Sequence, residues 1–439
     1  MGKSSNQAID VAAIRKDVEE QEAHHINVLR EGLKASLTDL AGFQHWIGEE
    51  MKRIGMEVEE FLVDPAELLN QPAQRKTLRE NPSALNRGPN MVGKVAGKGP
   101  GHGMLLFGHA DKPPETSEWG RKHPDLVEDG NRLQGPGIAD DVAGLTSMLG
   151  AVETFVRLGM EPQGDLLVAS ILGKQLGVFG TYGLMSRFGP VDAAIYAHPA
   201  ESGNGLGDLK MTSLGMVEFH ITIEGKSPDT TEPHQTIYSK SAVSAAEKGF
   251  YIAQGLLKWA AELAEQVFYR HAELEKLTGQ GFALSIGSFV TGTDNLVYEI
   301  PTRCVLKGVV NFPPAVTLEM MQAELKGALD NLVKQDAWLA QSHAHLEWGD
   351  VIAESCQSDE NSGFLLMAKQ AIKDVTGKTP RYNYGHSASD LRYPMLWWNA
   401  QGFGVGPLAG DMGTETEYVE RKEYLDTIIV LAEILKHAA

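Results

Sequence analysis

The sequence predicts an α/β protein with a central, mainly parallel sheet, interrupted by an α+β insert. Short apolar runs ending in polar tips, MLLFGHAD at 104–111, DLLVASIL at 165–172 and DAAIYAHP at 192–199, alternate with helical stretches such as 142–159. Strands that alternate with helices are joined by crossovers, which build a parallel sheet covered by helices. From about residue 213 the pattern changes, because VEFHITIEG alternates as a half-exposed antiparallel strand does. The first pattern resumes near residue 346 and runs to the end.

In order along the chain, residues 11–56 read as two amphipathic helices, and 91–103 as a glycine-rich stretch before the first buried strand. The insert opens with VEFHITIEG and continues through a polar loop at 227–240. A long helix at 242–277, the strands ALSIGSFV and CVLKGVVNF, and a helix at 317–335 follow. This divides the chain into 1–212, an insert at 213–340, and 341–439, the insert being of ordinary small-domain size. There is no internal repeat and no low-complexity tract.

Composition narrows the function. With 58 acidic against 39 basic residues, a net charge of −19 argues against nucleic acid or an anionic membrane as partner. No apolar run approaches the ~18–20 residues needed to cross a bilayer. The N-terminus lacks the apolar core of a secretory signal, and Asn6 stands where a myristoylation pattern wants Ser or Thr. Two cysteines, Cys304 and Cys356, form neither a metal knuckle nor a disulfide framework, so a reducing cytoplasm is expected.

Four segments could carry chemistry. GHAD at 108–111 places His109 at a strand end with Asp111 two residues on, where a carboxylate can fix an imidazole for metal binding. GPGIADDVAG at 135–144 offers Asp140 and Asp141 ahead of a helix, although acidic residues in a first helical turn are common for electrostatic reasons alone. YAHP at 196–199 puts His198 at the end of another buried strand, and YNYGHSASDLRYP at 382–394 carries His386, Asp390 and Arg392. In open α/β sheets, ligands sit beyond the C-terminal ends of the strands, which is where both His109 and His198 fall.

The segments LLFGHADKPPETSEW and LQGPGIADDVAG resemble the GHxDxxP and GRGxxDDKGG motifs of the aminoacylase, acetylornithine deacetylase and glutamate carboxypeptidase family. ASDLRYP, GFGVGP and TETEYV resemble its TDARY, FGPG and HxPDEYV blocks, and VEFHITIEGK, DNLVYEIP and VVNFPP its lid. The resemblance implies a metallopeptidase-like catalytic domain with an inserted lid or dimerisation domain, a homodimer, and two metals bridged by one aspartate. It assigns His109 to the first metal, Asp111 to its support and Asp140 to the bridge. His198 falls where the family has an acidic ligand. The paired glutamates of EEIG read Lys174-Gln175-Leu176-Gly177, and the histidine of HxPDEYV reads Gly413. Asp229 stands at the lid-histidine position, with His234 five residues on.

A glutamine, a glycine and a shared aspartate cannot hold a second ion, whereas two imidazoles and a carboxylate leave open positions on a first. The sequence therefore predicts one divalent transition metal per chain, Mn2+ or Zn2+, on His109, Asp140 and His198. Loss of the glutamate base weighs against ordinary peptide hydrolysis, which moves a proton from water to the leaving amine. Expected instead is metal-assisted attack of water on a non-peptide C–N bond of a small aromatic amine bearing a carboxylate, 5-nitroanthranilate to 5-nitrosalicylate and ammonia. Asp111, Gln175 and His386 are expected to serve that reaction. Lys174, His234 and Arg392 are expected to meet the substrate, with Trp119, Phe179, Tyr182, Tyr384 and Trp397 as possible aromatic lining. The alternatives are a peptidase or N-acyl amino acid deacylase with another base, and a non-catalytic binding protein on the same scaffold.

Overall fold

The computed structural model describes residues 9–64, 88–99, 103–112, 120, 122, 125–174, 179–200, 202–232, 234–293, 297–385 and 389–438. Its internal contacts divide these into two compact units, one reaching Thr212 and resuming at Gln357, the other Ser213–Cys356.

The first unit is built on an eight-stranded mixed sheet. At its centre Leu166–Ile171, Met104–His109, Ala193–Ala197 and Gln401–Val405 run parallel side by side. Antiparallel strands Asn90–Val95 and Glu57–Phe61 extend one edge, and Asp208–Lys210 with Arg381–Asn383 the other. The first three of these central strands are buried along their whole length, so they read as unbroken apolar runs without alternation. The α/β class and its parallel centre are those the sequence predicts. Asn90–Val95 is an added strand inside the stretch read as glycine-rich.

Residues 11–56 form three helices where two are expected: Val11–Glu20, Glu22–Ser36 and Leu40–Ile54. Asp10 and Asp39 cap the first and third by accepting from Ala13 and Gly42 N–H at 2.8 and 2.7 Å. The break at Gln21 carries no side-chain cap, which is why the sequence hides it. Within Glu22–Ser36, burial lowers the His25 imidazole to about 4, with Glu153 opposing and His24, Arg157 and Asp17 adding smaller effects. A ring held neutral in the fold but protonated near 6.5 when unfolded stabilises fully above that pH. The contribution, up to ~3 kcal/mol, is lost as pH falls from 6.5 towards about 4. Denaturant titrations across this window will show the slope, and His25→Leu will flatten it.

Helix Ala143–Arg157 packs against the sheet and against Arg421–Ala438. Its start is tight: a Cβ on Gly144 would lie 2.1 Å from Asp141 Oδ1 and 2.3 Å from the Ala197 carbonyl oxygen. Neither can retreat without moving the site, so Gly144→Ala is expected to cost about 3 kcal/mol by overpacking, read as a lower denaturation midpoint.

In the second unit Ala283–Thr291, Arg303–Phe312, Gly215–Glu224 and Ala344–Ala353 form an antiparallel sheet. Ala245–Ala264 and Leu318–Gln335 supply Ile252, Leu256, Leu325 and Leu329 to a core with Val217, Phe219, Ile221 and Ile223. Ala344–Ala353 hydrogen-bonds to Gly215–Glu224, so this sheet continues past residue 340. The expected helix 242–277 is broken after Ala264. It resumes as Ala272–Thr278, where His271 Nδ1 accepts the Leu274 N–H at 3.2 Å. Among the described residues no helix is long and apolar enough to cross a membrane.

Candidate metal centre

Three neighbouring connections leave the C-terminal end of the central sheet and meet over it. His109 is the last residue of Met104–His109, and His198 lies one residue beyond Ala193–Ala197. Asp140 comes from the turn Ile138–Val142 that leads into helix Ala143–Arg157. The ligating atoms of His109, Asp140 and His198 all lie within 4.8 Å of one another, His109 Nε2 being 2.8 Å and His198 Nε2 3.1 Å from Asp140 Oδ1.

Both rings are aimed through their other nitrogen. His109 Nδ1 donates to the Asp111 carbonyl at 3.1 Å and His198 Nδ1 to the Pro199 carbonyl at 2.9 Å. A neutral ring that donates through Nδ1 presents Nε2 as an acceptor, the form a metal takes. Burial, helped by the Lys174 and Lys210 ammoniums, lowers His198 to about 3 and keeps it neutral. Burial alone would raise the Asp140 carboxyl, but the Lys174 ammonium and the two imidazoles hold it well below the usual carboxylate range.

The donor chemistry fits a divalent transition ion. Ligands ~2.1 Å from a metal and at right angles to each other stand ~3 Å apart, close to the two separations seen here. In this structure the cation among the three atoms is the Lys174 ammonium. Its Nζ donates to His109 Nε2 at 2.9 Å, Asp140 Oδ1 at 3.0 Å and His198 Nε2 at 3.1 Å. Lys174, read from sequence as a partner for a substrate carboxylate, thus spends all three ammonium hydrogens on the trio.

Asp111 acts from below. Its Oδ1 accepts the N–H of Gly173 at 3.1 Å and of Lys174 at 3.2 Å, tying the strand end that bears Lys174 to the one that bears His109. Gly173 has φ +99°, and a Cβ there would meet the Phe179 ring at 2.6 Å, so the turn that brings Lys174 back over the sheet requires glycine. Arg392 is buried at the start of Arg392–Trp397, where its Nε donates to the Ser389 carbonyl at 3.1 Å. His234 is exposed in the second unit, its ring edge-on to Tyr298 at 5.3 Å. Gln175, His386 and Trp119 lie outside the described residues. Tyr182 packs against Trp397 and Tyr393, with ring centroids 4.7 and 5.0 Å away.

Several further residues shape the centre, of which the sequence reading considers only Asp141. Glu417 accepts the N–H groups of Ala139, Asp140 and Gly413 at 2.6, 3.0 and 3.0 Å, which fixes the backbone that presents Asp140. Its place in TETEYV was the available signal. Asp141, whose Oδ2 accepts the His109 N–H at 3.2 Å, is pushed up to about 8 by burial. Lys210 donates to the His198 and Pro199 carbonyls at 2.7 and 2.8 Å, and burial lowers it to about 7. Lys112 is likewise lowered to about 7 by burial, donating to Ser36 Oγ at 2.5 Å.

A buried histidine–carboxylate cluster at the C-terminal edge of a mainly parallel sheet makes a candidate metal site. Residues 105–437 match the model of Peptidase family M20/M25/M40, and the chain belongs to that family. It is 24% identical over 357 residues to N-formyl-4-amino-5-aminomethyl-2-methylpyrimidine deformylase of Halalkalibacterium halodurans, covering 74% of this chain and 77% of that one. A tripeptidase from Staphylococcus aureus shares the fold with a TM-score of 0.69 at 16% identity, over 95% of this chain and 98% of the other. So does a dinuclear metal-binding peptidase from Bacillus subtilis, with a TM-score of 0.61 at 14% identity, over 95% and 98%.

Proposed function

We propose that the protein hydrolyses a non-peptide C–N bond of a small molecule using one divalent ion, Mn2+ or Zn2+, held by His109, Asp140 and His198. The observation that carries this reading is the convergence of two imidazole Nε2 atoms and Asp140 Oδ1. By contrast, Gly413, which offers no side chain, engages Glu417 through its N–H at 3.0 Å. When bound, the ion supplies positive charge and lowers the pKa of water to ~7. The chain's own contribution is to keep the His198 ring neutral, to turn both Nε2 atoms towards Asp140, to hold Asp140 ionised, and to fix all three by Asp111, Lys210 and Glu417.

The substrate we propose is a carboxylate-bearing aryl amine activated by a nitro group. In 5-nitroanthranilate, water forms the C–O bond as the C–N bond breaks, giving 5-nitrosalicylate and ammonia. A ring nitro group takes up the negative charge of the addition, so the reaction relies less on a strong base. That suits a chain with lysine and glutamine at the positions of the family's paired glutamates. A second reading, hydrolysis of an N-formyl or other N-acyl bond, is favoured by the similarity to the deformylase.

Purified protein supplied with Mn2+ or Zn2+ and offered 5-nitroanthranilate, an N-formyl aminomethylpyrimidine and N-acetyl amino acids separates the two. The expected result is ammonia release from the aryl amine with the amides turned over at least ~100-fold more slowly, a gap of about 2.7 kcal/mol. Rapid deformylation or deacylation without aryl-amine turnover defeats the first reading and supports the second.

A further inference from the structure

We propose that the Lys174 ammonium and the divalent ion are alternative occupants of one site, so that Lys174 is a built-in plug that the incoming metal must displace. This rests on the single-metal reading above.

Four observations carry it. The ammonium meets all three candidate ligand atoms at 2.9–3.1 Å and has no hydrogen left for another partner. The trio is buried, with His109 fully enclosed, so the ionised Asp140 carboxylate between the two rings needs a cationic partner, which the ammonium supplies at 3.0 Å. The backbone of Lys174 is held by Asp111 Oδ1, which keeps the side chain's root beside the centre while leaving its end free to leave. Finally, Asp140 Oδ1 and His109 Nε2 stand 2.8 Å apart around the ammonium, so Lys174 draws the candidate ligand atoms together. An ion bonded to these atoms would stand where Nζ stands now, and two cations cannot share the three donors. Lys174 therefore does two things at once. It keeps the site formed before loading, and it weakens metal binding by the cost of its own removal.

The test uses the full chain, wild type and Lys174→Ala, with Lys174→Met as a second variant that keeps the bulk without the charge. Each is freed of metal and titrated with Mn2+ by calorimetry, with thermal unfolding measured on the same samples. The proposal expects at least ~10-fold tighter Mn2+ binding in both variants. It also expects a lower melting temperature than wild type without metal, and recovery of that difference when Mn2+ is added. In wild type, amine acetylation mapped by mass spectrometry should reach Lys174 only after Mn2+ is added. Equal or weaker Mn2+ binding in the variants, with wild type still binding one ion, overturns the plug while leaving the single-metal reading standing. No Mn2+ or Zn2+ binding in any of the three proteins overturns the single-metal reading and the plug with it.

Discussion

Replacing His198 with alanine is expected to abolish stoichiometric metal binding and to lower kcat/KM at least ~1000-fold, about 4 kcal/mol of transition-state stabilisation. His198 is the departure that keeps a complete donor set at this centre. Its Nε2 stands 3.1 Å from Asp140 Oδ1, and its Nδ1 is committed to the Pro199 carbonyl, so no other atom of the ring can compensate. Without it, two donors remain, too few to hold an ion firmly against water. Folding should persist, because the backbone at this strand end is held by Lys210 rather than by the ring. The measurement is metal content together with kcat/KM on the substrate identified in the panel. Retention of both within twofold would show that the imidazole is only a buried strand-end histidine. A purely binding role for the protein would leave its function insensitive to this change.

Asp111→Ala is expected to reduce metal affinity and kcat/KM together by ~10–100-fold, the usual effect of losing a carboxylate behind a metal-binding histidine. Asp111 lies 3.7 Å from His109 Nδ1 through Oδ1 and receives that nitrogen's hydrogen bond through its carbonyl. The same Oδ1 also accepts from Gly173 and Lys174. Alanine removes the charge and both backbone anchors, whereas Asp111→Asn keeps an acceptor and should recover part of the loss. Calorimetric metal titration beside steady-state kinetics will show whether the two quantities fall together. If asparagine is as damaging as alanine, the charge and not the anchoring is what matters.

Much of this centre was legible in the sequence because its parts sit at ends of elements. His109 and His198 close apolar runs that could only be buried strands, and Asp140 opens a glycine-bounded turn before a helix. What was illegible is how a side chain returns across the sheet. Lys174 is 65, 34 and 24 residues from His109, Asp140 and His198, and nothing in those separations says that its Nζ meets all three. The turn at Gly173 does that, and only its φ of +99° reveals it. Glu417 escaped for the opposite reason, since a backbone-holding carboxylate in a polar run looks like any surface glutamate. The fold shows the same division. Continuous apolar runs predicted the parallel centre correctly, but the helix breaks at Gln21 and after Ala264 occur without glycine or proline to announce them.

The central proposal is that this chain holds one metal, whereas the Bacillus subtilis peptidase of the same fold is dinuclear. Elemental analysis of the purified chain, after loading with excess Mn2+ or Zn2+ and removal of free ion, tests it most directly. One equivalent per chain, lost in His198→Ala, is the predicted result; two equivalents, or none, would contradict the account.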